Sequence, residues 1–164
     1  MKNFCLSLAC LSVVLFTSCN SSQNKLQEMV TAHFDALNHH NLDALASQYN
    51  DSSKIASVGW DGIKTGAKAV RENYKRYFTT SPDLIYVVKN TVIHNNIAIV
   101  EYTSTGTMAK PEKGEPDFMT GKKYTLQNCT VFTFAEEKIS TEMTYFDQVA
   151  FLRQVGYFDH VVEK

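Results

Sequence analysis

The apolar positions of residues 25–160 fall into two textures. From Leu26 to Phe78 they recur mostly every three or four residues, the period of a helix with one buried face. From Leu84 to Phe146 β-branched and aromatic residues dominate and alternate with polar ones, as in strands. Leu26, Met29, Val30, His33/Phe34 and Leu37 form the first helical stripe, broken at Asn38–Asn41. Asn41 is placed to cap a second short helix with the face Leu42, Leu45, Ala46 and Tyr49. Lys54–Gly59 reads as a short strand entering a turn at Trp60-Asp61-Gly62. Thr65-Gly66 opens a third helix with Ala67, Val70, Tyr74, Tyr77 and Phe78 on one face, and Ser81-Pro82 ends it.

The β half is expected to hold strands at Leu84–Ile93 and Ile97–Thr107, joined at Asn95-Asn96, a pair that tolerates positive φ. Lys110–Gly121, with Pro111, Gly114 and Pro116, reads as a long loop. Lys123–Phe134 and Ile139–Phe146 make a last hairpin turning at Ala135–Lys138. Asp147 then starts a final helix through Val149, Leu152 and Val155, stopped by Gly156. Helices followed by hairpin-connected strands indicate an α+β domain, an antiparallel sheet with helices on one face. A strongly bent sheet would close over the helices as a cone and leave a pocket between the layers.

The N-terminus has a different pattern. Lys2 precedes an almost wholly apolar run from Phe4 to Phe16, and Phe16-Thr17-Ser18-Cys19 closes it with small residues before a cysteine. This is the arrangement of a lipoprotein signal peptide over residues 1–18, with Cys19 as the lipidated residue. A plain secretory leader and a short membrane anchor are the alternatives, although a spanning helix needs about 20 apolar residues. Residues 19–24 then form a polar tether and residues 25–160 the domain, placed in a bacterial cell envelope on the periplasmic side or outer membrane.

Composition adds limits. With 44% hydrophobic and 12% aromatic residues the chain is of the globular class. Sixteen basic residues nearly balance 17 acidic ones without a basic stripe, so nucleic acid is not an expected partner. Cys5 and Cys10 would leave with the leader and Cys19 would take lipid, so Cys129 alone remains in the domain, as a small buried hydrophobe on a strand. His39 and His40 are adjacent and point about 100° apart on a helix, and no H-E-x-x-H or paired-cysteine pattern exists, so no metal is expected. Phosphate-loop, nucleophile-elbow and dinucleotide-binding signatures are missing too, and no cofactor is expected.

In the second half an ordered set of short motifs stands out: Gly106-Thr107, Met119-Thr120-Gly121-Lys122-Lys123, Lys138-Ile139, Glu142, Tyr145-Phe146-Asp147 and Gln154-Val155-Gly156. In order and rough spacing this set resembles the SnoaL-like polyketide cyclases of the nuclear transport factor two-like superfamily, whose motifs run G-T-H, T-G-K, G-K-I, an acid, Y-x-D and Q-L-G. Met108 replaces the histidine, Glu137 a turn glycine and Val155 a leucine. The resemblance implies a cone-shaped, cystatin-like α+β barrel, usually a dimer through its sheet, with an apolar pocket. Its members include acid–base enzymes acting on polyketides, steroids or epoxides.

Strict alternation on the last strand puts Ile139, Thr141, Met143, Tyr145 and Asp147 on one face and Ser140, Glu142, Thr144 and Phe146 on the other. If the first set faces the helices, Tyr145 and Asp147 reach the pocket mouth, where Asp147 is the candidate acid or base and Tyr145 its helper. Asp147 also precedes a helix, where an N-cap aspartate stabilises by about 1 kcal/mol. Glu142 is expected outside, as a surface charge or in a dimer interface. Trp60, Tyr86, Tyr102, Tyr124 and Met143 are the candidate ligand-binding residues, with packing as the alternative for each. Three functions are compatible with these features. The first is a lipid-anchored domain binding a small, mostly hydrophobic molecule. The second is a cofactor-independent isomerase, dehydratase or aldol cyclase using Asp147. The third is a non-catalytic module for homodimerisation or protein docking.

Overall fold

The structure, a computed structural model, describes the backbone of residues 14–59, 62–111 and 116–161, with side chains from residue 22 to residue 160 within those spans. The Cys19 side chain and Trp60 lie outside the described residues, as does the leader but for the backbone of its last residues. Helix α1 (Val14–Asn38) includes the backbone of residues 19–24, the stretch read as a tether. It is followed by α2 (Leu42–Ser47), β1 (Tyr49–Ser57), β2 (Lys64–Thr65), α3 (Ala67–Thr80), β3 (Ile85–His94) and β4 (Ile97–Thr107). A 3₁₀ turn (Asp117–Met119), β5 (Lys123–Ala135), β6 (Lys138–Phe146), α4 (Gln148–Gln154) and α5 (Tyr157–Val161) complete the chain.

The α+β layout expected from the periodicity is present. One six-stranded sheet runs β2-β1-β6-β5-β4-β3. Its pairings are antiparallel except β1–β6, which is parallel, so the sheet is mixed where an antiparallel one was expected. The first strand also begins earlier than the pattern suggested: Tyr49, expected on a helix face, opens β1 and pairs with Ile139.

Helices α1 and α3 cover the concave face. Val30, His33, Phe34 and Leu37 of α1 and Val70 and Tyr74 of α3 pack against Ala98, Val100, Tyr102, Phe132, Phe134 and Ile139 of the sheet. Asn41 caps α2 through its side chain, accepting from Ala44 N at 3.0 Å. The β3–β4 turn places Asn95 at φ 52°. Gly156 takes φ 78° just beyond α4, as expected of a helix stop.

Besides a wider register shift in β1 between Tyr49 and Lys54, two single-residue bulges shape the sheet. Thr133 pairs with Thr141 but Phe134 with Ile139, so Ser140 is an extra residue on β6. Val88 pairs with Tyr102 and Asn90 with Glu101, leaving Lys89 extra on β3. Each bulge reverses the in–out parity of the residues after it. Ile139 and Glu142 therefore share the inner face of β6, and Tyr86 and Ile93 that of β3.

Candidate functional site

Between the concave face and the helices lies a cavity of about 420 Å³. Its sheet wall carries Tyr102 and Ser104 of β4, Tyr124, Leu126 and Asn128 of β5, and Glu142, Thr144 and Phe146 of β6. Tyr74, Arg76, Tyr77 and Thr80 of α3 line it from the helix side, and Phe151, Leu152 and Tyr157 from α4 and α5. Of these described lining residues only Glu142 and Arg76 carry charge.

Glu142 is 5% exposed. Its Oε1 accepts from the Tyr74 hydroxyl at 2.7 Å and its Oε2 from the Tyr49 hydroxyl. Burial, reinforced by the nearby carboxylate, pushes both phenols well above the usual tyrosine range, so they remain donors. His33, fully buried beside them, packs edge-on against Phe132 with ring centroids 5.1 Å apart, and its Nδ1 lies 2.8 Å from Gln48 Oε1. Burial lowers its pKa against the opposing pull of Glu142, which keeps the ring neutral at physiological pH. The three ion pairs of the described residues, Lys25–Glu137, Lys68–Glu72 and Arg71–Asp43, are on the surface and none reaches Glu142.

Along the sheet wall the polar groups are chained. The Tyr102 hydroxyl hydrogen-bonds with Thr130 Oγ1 at 3.1 Å, and Thr130 with Thr144 Oγ1 at 2.8 Å. Asn128 Nδ2 donates to Ser104 Oγ and Leu126 O, both at 3.0 Å. The Tyr124 hydroxyl donates to Ser81 Oγ at 3.0 Å across Gly106, where a Cβ would stand 2.9 Å from that hydroxyl. Tyr86, 9% exposed, lines the same space, and its hydroxyl makes no hydrogen bond among the described residues.

Tyr86, Tyr102 and Tyr124, singled out from the sequence, thus meet in one cavity. The expected positions of Tyr145, Asp147 and Met143 are corrected. Tyr145 is 49% exposed on the outer face beside Cys129, which is half-buried where a buried residue was expected, and Met143 is half-buried away from the cavity. Asp147 is exposed and caps α4, its Oδ1 accepting from Ala150 N at 2.9 Å. The reason is the bulge at Ser140. Alternation counted from Ile139 assigns Glu142 outward, whereas the extra residue turns Glu142, Thr144 and Phe146 inward. Tyr49 and Tyr74 were missed as site residues for lack of any local signal; for Glu142 the acid of the ordered motif set was one.

Other residues of that set hold the walls together. Gln154 clips α4 to β5, its Oε1 accepting from Thr125 N at 2.8 Å and its Nε2 donating to Thr125 O at 3.0 Å. Gly121 N donates to Met108 O at 2.8 Å, and Met108 N to Lys122 O at 2.9 Å.

A curved sheet folded over two helices, with a chamber between them, defines a ketosteroid isomerase-like, or nuclear transport factor two-like, α+β domain. One such structure, a protein of ketosteroid isomerase-like fold from Catenulispora acidiphila DSM 44928 in complex with trimethylamine, superposes with a TM-score of 0.66 at 18% identity, over 79% of this chain and 92% of that one. A protein from Jannaschia sp. CCS1 proposed to be a SnoaL-like polyketide cyclase gives a TM-score of 0.72 at 18% identity, over 81% and 92%. An LEH-like epoxide hydrolase of M. tuberculosis gives 0.63 at 16%, over 87% and 99%. At these identities the likeness is one of fold. The chain belongs to the SnoaL-like domain family, whose sequence model matches residues 30–142. No curated protein is significantly similar in sequence.

Proposed function

We propose that this domain binds one small, mostly apolar molecule in the cavity, with Glu142 as its polar anchor. The observation that carries the reading is the pairing of a chamber of about 420 Å³, within the ~300–1,000 Å³ usual for small-molecule sites, with a single buried carboxylate on its wall. An apolar probe such as 2-naphthol is expected to raise the melting temperature of the protein. Leu126→Trp, which grows into the chamber, should remove that shift. An equal shift in the filled variant would place the probe elsewhere and sink the reading.

A second reading, cofactor-independent acid–base catalysis, has one observation in its favour. Glu142 offers a proton acceptor and Tyr86 an unengaged hydroxyl donor in the same chamber. The fold neighbours described as a polyketide cyclase and an epoxide hydrolase make keto compounds and epoxides the substrates to screen. In this reading Glu142 takes the role the sequence suggested for Asp147, and Glu142→Gln should abolish turnover while Asp147→Asn retains it.

The same proposal keeps the domain on a membrane through lipid at Cys19, on the strength of the leader pattern in residues 1–19. Palmitate labelling that survives Cys19→Ala would remove this part. It also keeps a homodimer through the outer sheet face, where Val87, Val92 and Ile99 are 47%, 52% and 40% exposed. Sedimentation of Val92→Lys as the same species as wild type would argue against that interface.

A further inference from the structure

Glu142 presents an electrostatic problem that its neighbours leave open. A buried carboxylate is normally matched by a cation or a metal, because removing it from water is costly. Here its hydrogen-bond partners are two neutral phenols, from Tyr49 and Tyr74, and the adjacent His33 is neutral as well. The ion pairs of the described residues lie elsewhere. Arg76, the other charged lining residue, is exposed, and its guanidinium carbon sits 5.4 Å from the centroid of the Tyr77 ring. Each carboxylate oxygen accepts one hydrogen bond in the structure and has capacity for another.

The remaining lining answers the same charge. Tyr77, Tyr86, Tyr102, Tyr124, Phe146 and Phe151 surround the chamber with aromatic rings. Ring faces attract cations, more strongly in a desolvated site. A negatively charged ligand would meet Glu142 without a buried cation to offset it. A neutral apolar one would leave the carboxylate uncompensated.

We infer that the ligand of this cavity carries a positively charged nitrogen, an alkylammonium group on a small apolar body, seated against Glu142 and enclosed by the tyrosine and phenylalanine rings. The inference rests on the binding reading above and adds the charge class of the ligand. A matched pair of probes tests it on the full chain: choline, and 3,3-dimethyl-1-butanol, which has the same shape with carbon in place of the charged nitrogen. Calorimetric titration should give choline at least about a tenfold tighter Kd than the neutral alcohol, from cation–π and charge terms together. Glu142→Gln should weaken choline about tenfold or more and so erase its preference over the alcohol. Tyr74→Phe, which removes one donor and keeps the ring, should retain the preference for choline and so separates a lost charge from a damaged fold.

Equal affinities for the two probes, or binding of the alcohol alone, would overturn the charge assignment while leaving a neutral ligand in the cavity. Choline binding undiminished in Glu142→Gln would overturn it too, by placing the cation elsewhere. Failure of both probes, together with failure of 2-naphthol, would remove the binding reading itself.

Discussion

Glu142 and Asp147 lie close together in sequence, one on β6 and the other just beyond its end, yet they occupy different environments. Glu142 is enclosed by Tyr49, Tyr74 and the aromatic chamber; Asp147 is in solvent, holding the first turn of α4. Their difference shows that position near a strand end and proximity to aromatics in sequence do not place an acid in the chamber; that placement depends here on one inserted residue, Ser140. Asp147 still serves the site at one remove, because α4 supplies Phe151 and Leu152 to the cavity wall.

The largest effect is expected from Phe132→Ala, which empties the fully buried platform beneath His33 on the inner face and should cost about 3–5 kcal/mol in denaturant unfolding. Tyr49→Phe takes one donor from the Glu142 carboxylate and should cost about 1.5–3 kcal/mol, the range for a hydrogen bond to a charged group. A loss under half a kcal/mol there would mean that water replaces the phenol and the site is wetter than its burial indicates. Asp147→Ala should cost about 1 kcal/mol through the lost cap and leave the Kd for 2-naphthol unchanged. A large change in probe affinity would return Asp147 to the site.

The smallest effect is a slope with pH. His33 has a folded pKa below its ordinary value of 6.5, so the unfolded chain binds a proton more readily. Its contribution to stability is complete above pH 6.5 and is lost as pH falls through the region below it. The melting temperature should decline over that range, and the decline should be shallower in His33→Gln. An identical pH slope in the variant would show that other groups set the acid limit.

Much of this was readable along the chain because the interactions are local. The helix stripe from Leu26 to Leu37, the Asn41 cap, the Asn95 turn and the Gly156 stop depend on residues a few positions apart, and each is where the pattern put it. The motif set ending in Gln154-Val155-Gly156 was legible as a resemblance, although its work, as the clip from Gln154 to Thr125 shows, joins distant segments. Tyr86, Tyr102 and Tyr124 could be named as candidates from strand position alone.

What the sequence alone determined is the succession of the main elements, though not the short β2 or α5, which follows the helix expected to be the last, since periodicity, caps and turn residues act within a few residues of one another. Which side of β6 faces inward was decided only in three dimensions. A bulge is fixed by how two strands register, and the pattern of β6 alone runs through Ser140 without a break. The meeting of Tyr49, Tyr74, His33 and Glu142 was decided the same way: it joins β1, α3, α1 and β6, segments brought together by the closure of a curved sheet over its helices and by no signal local to any of them.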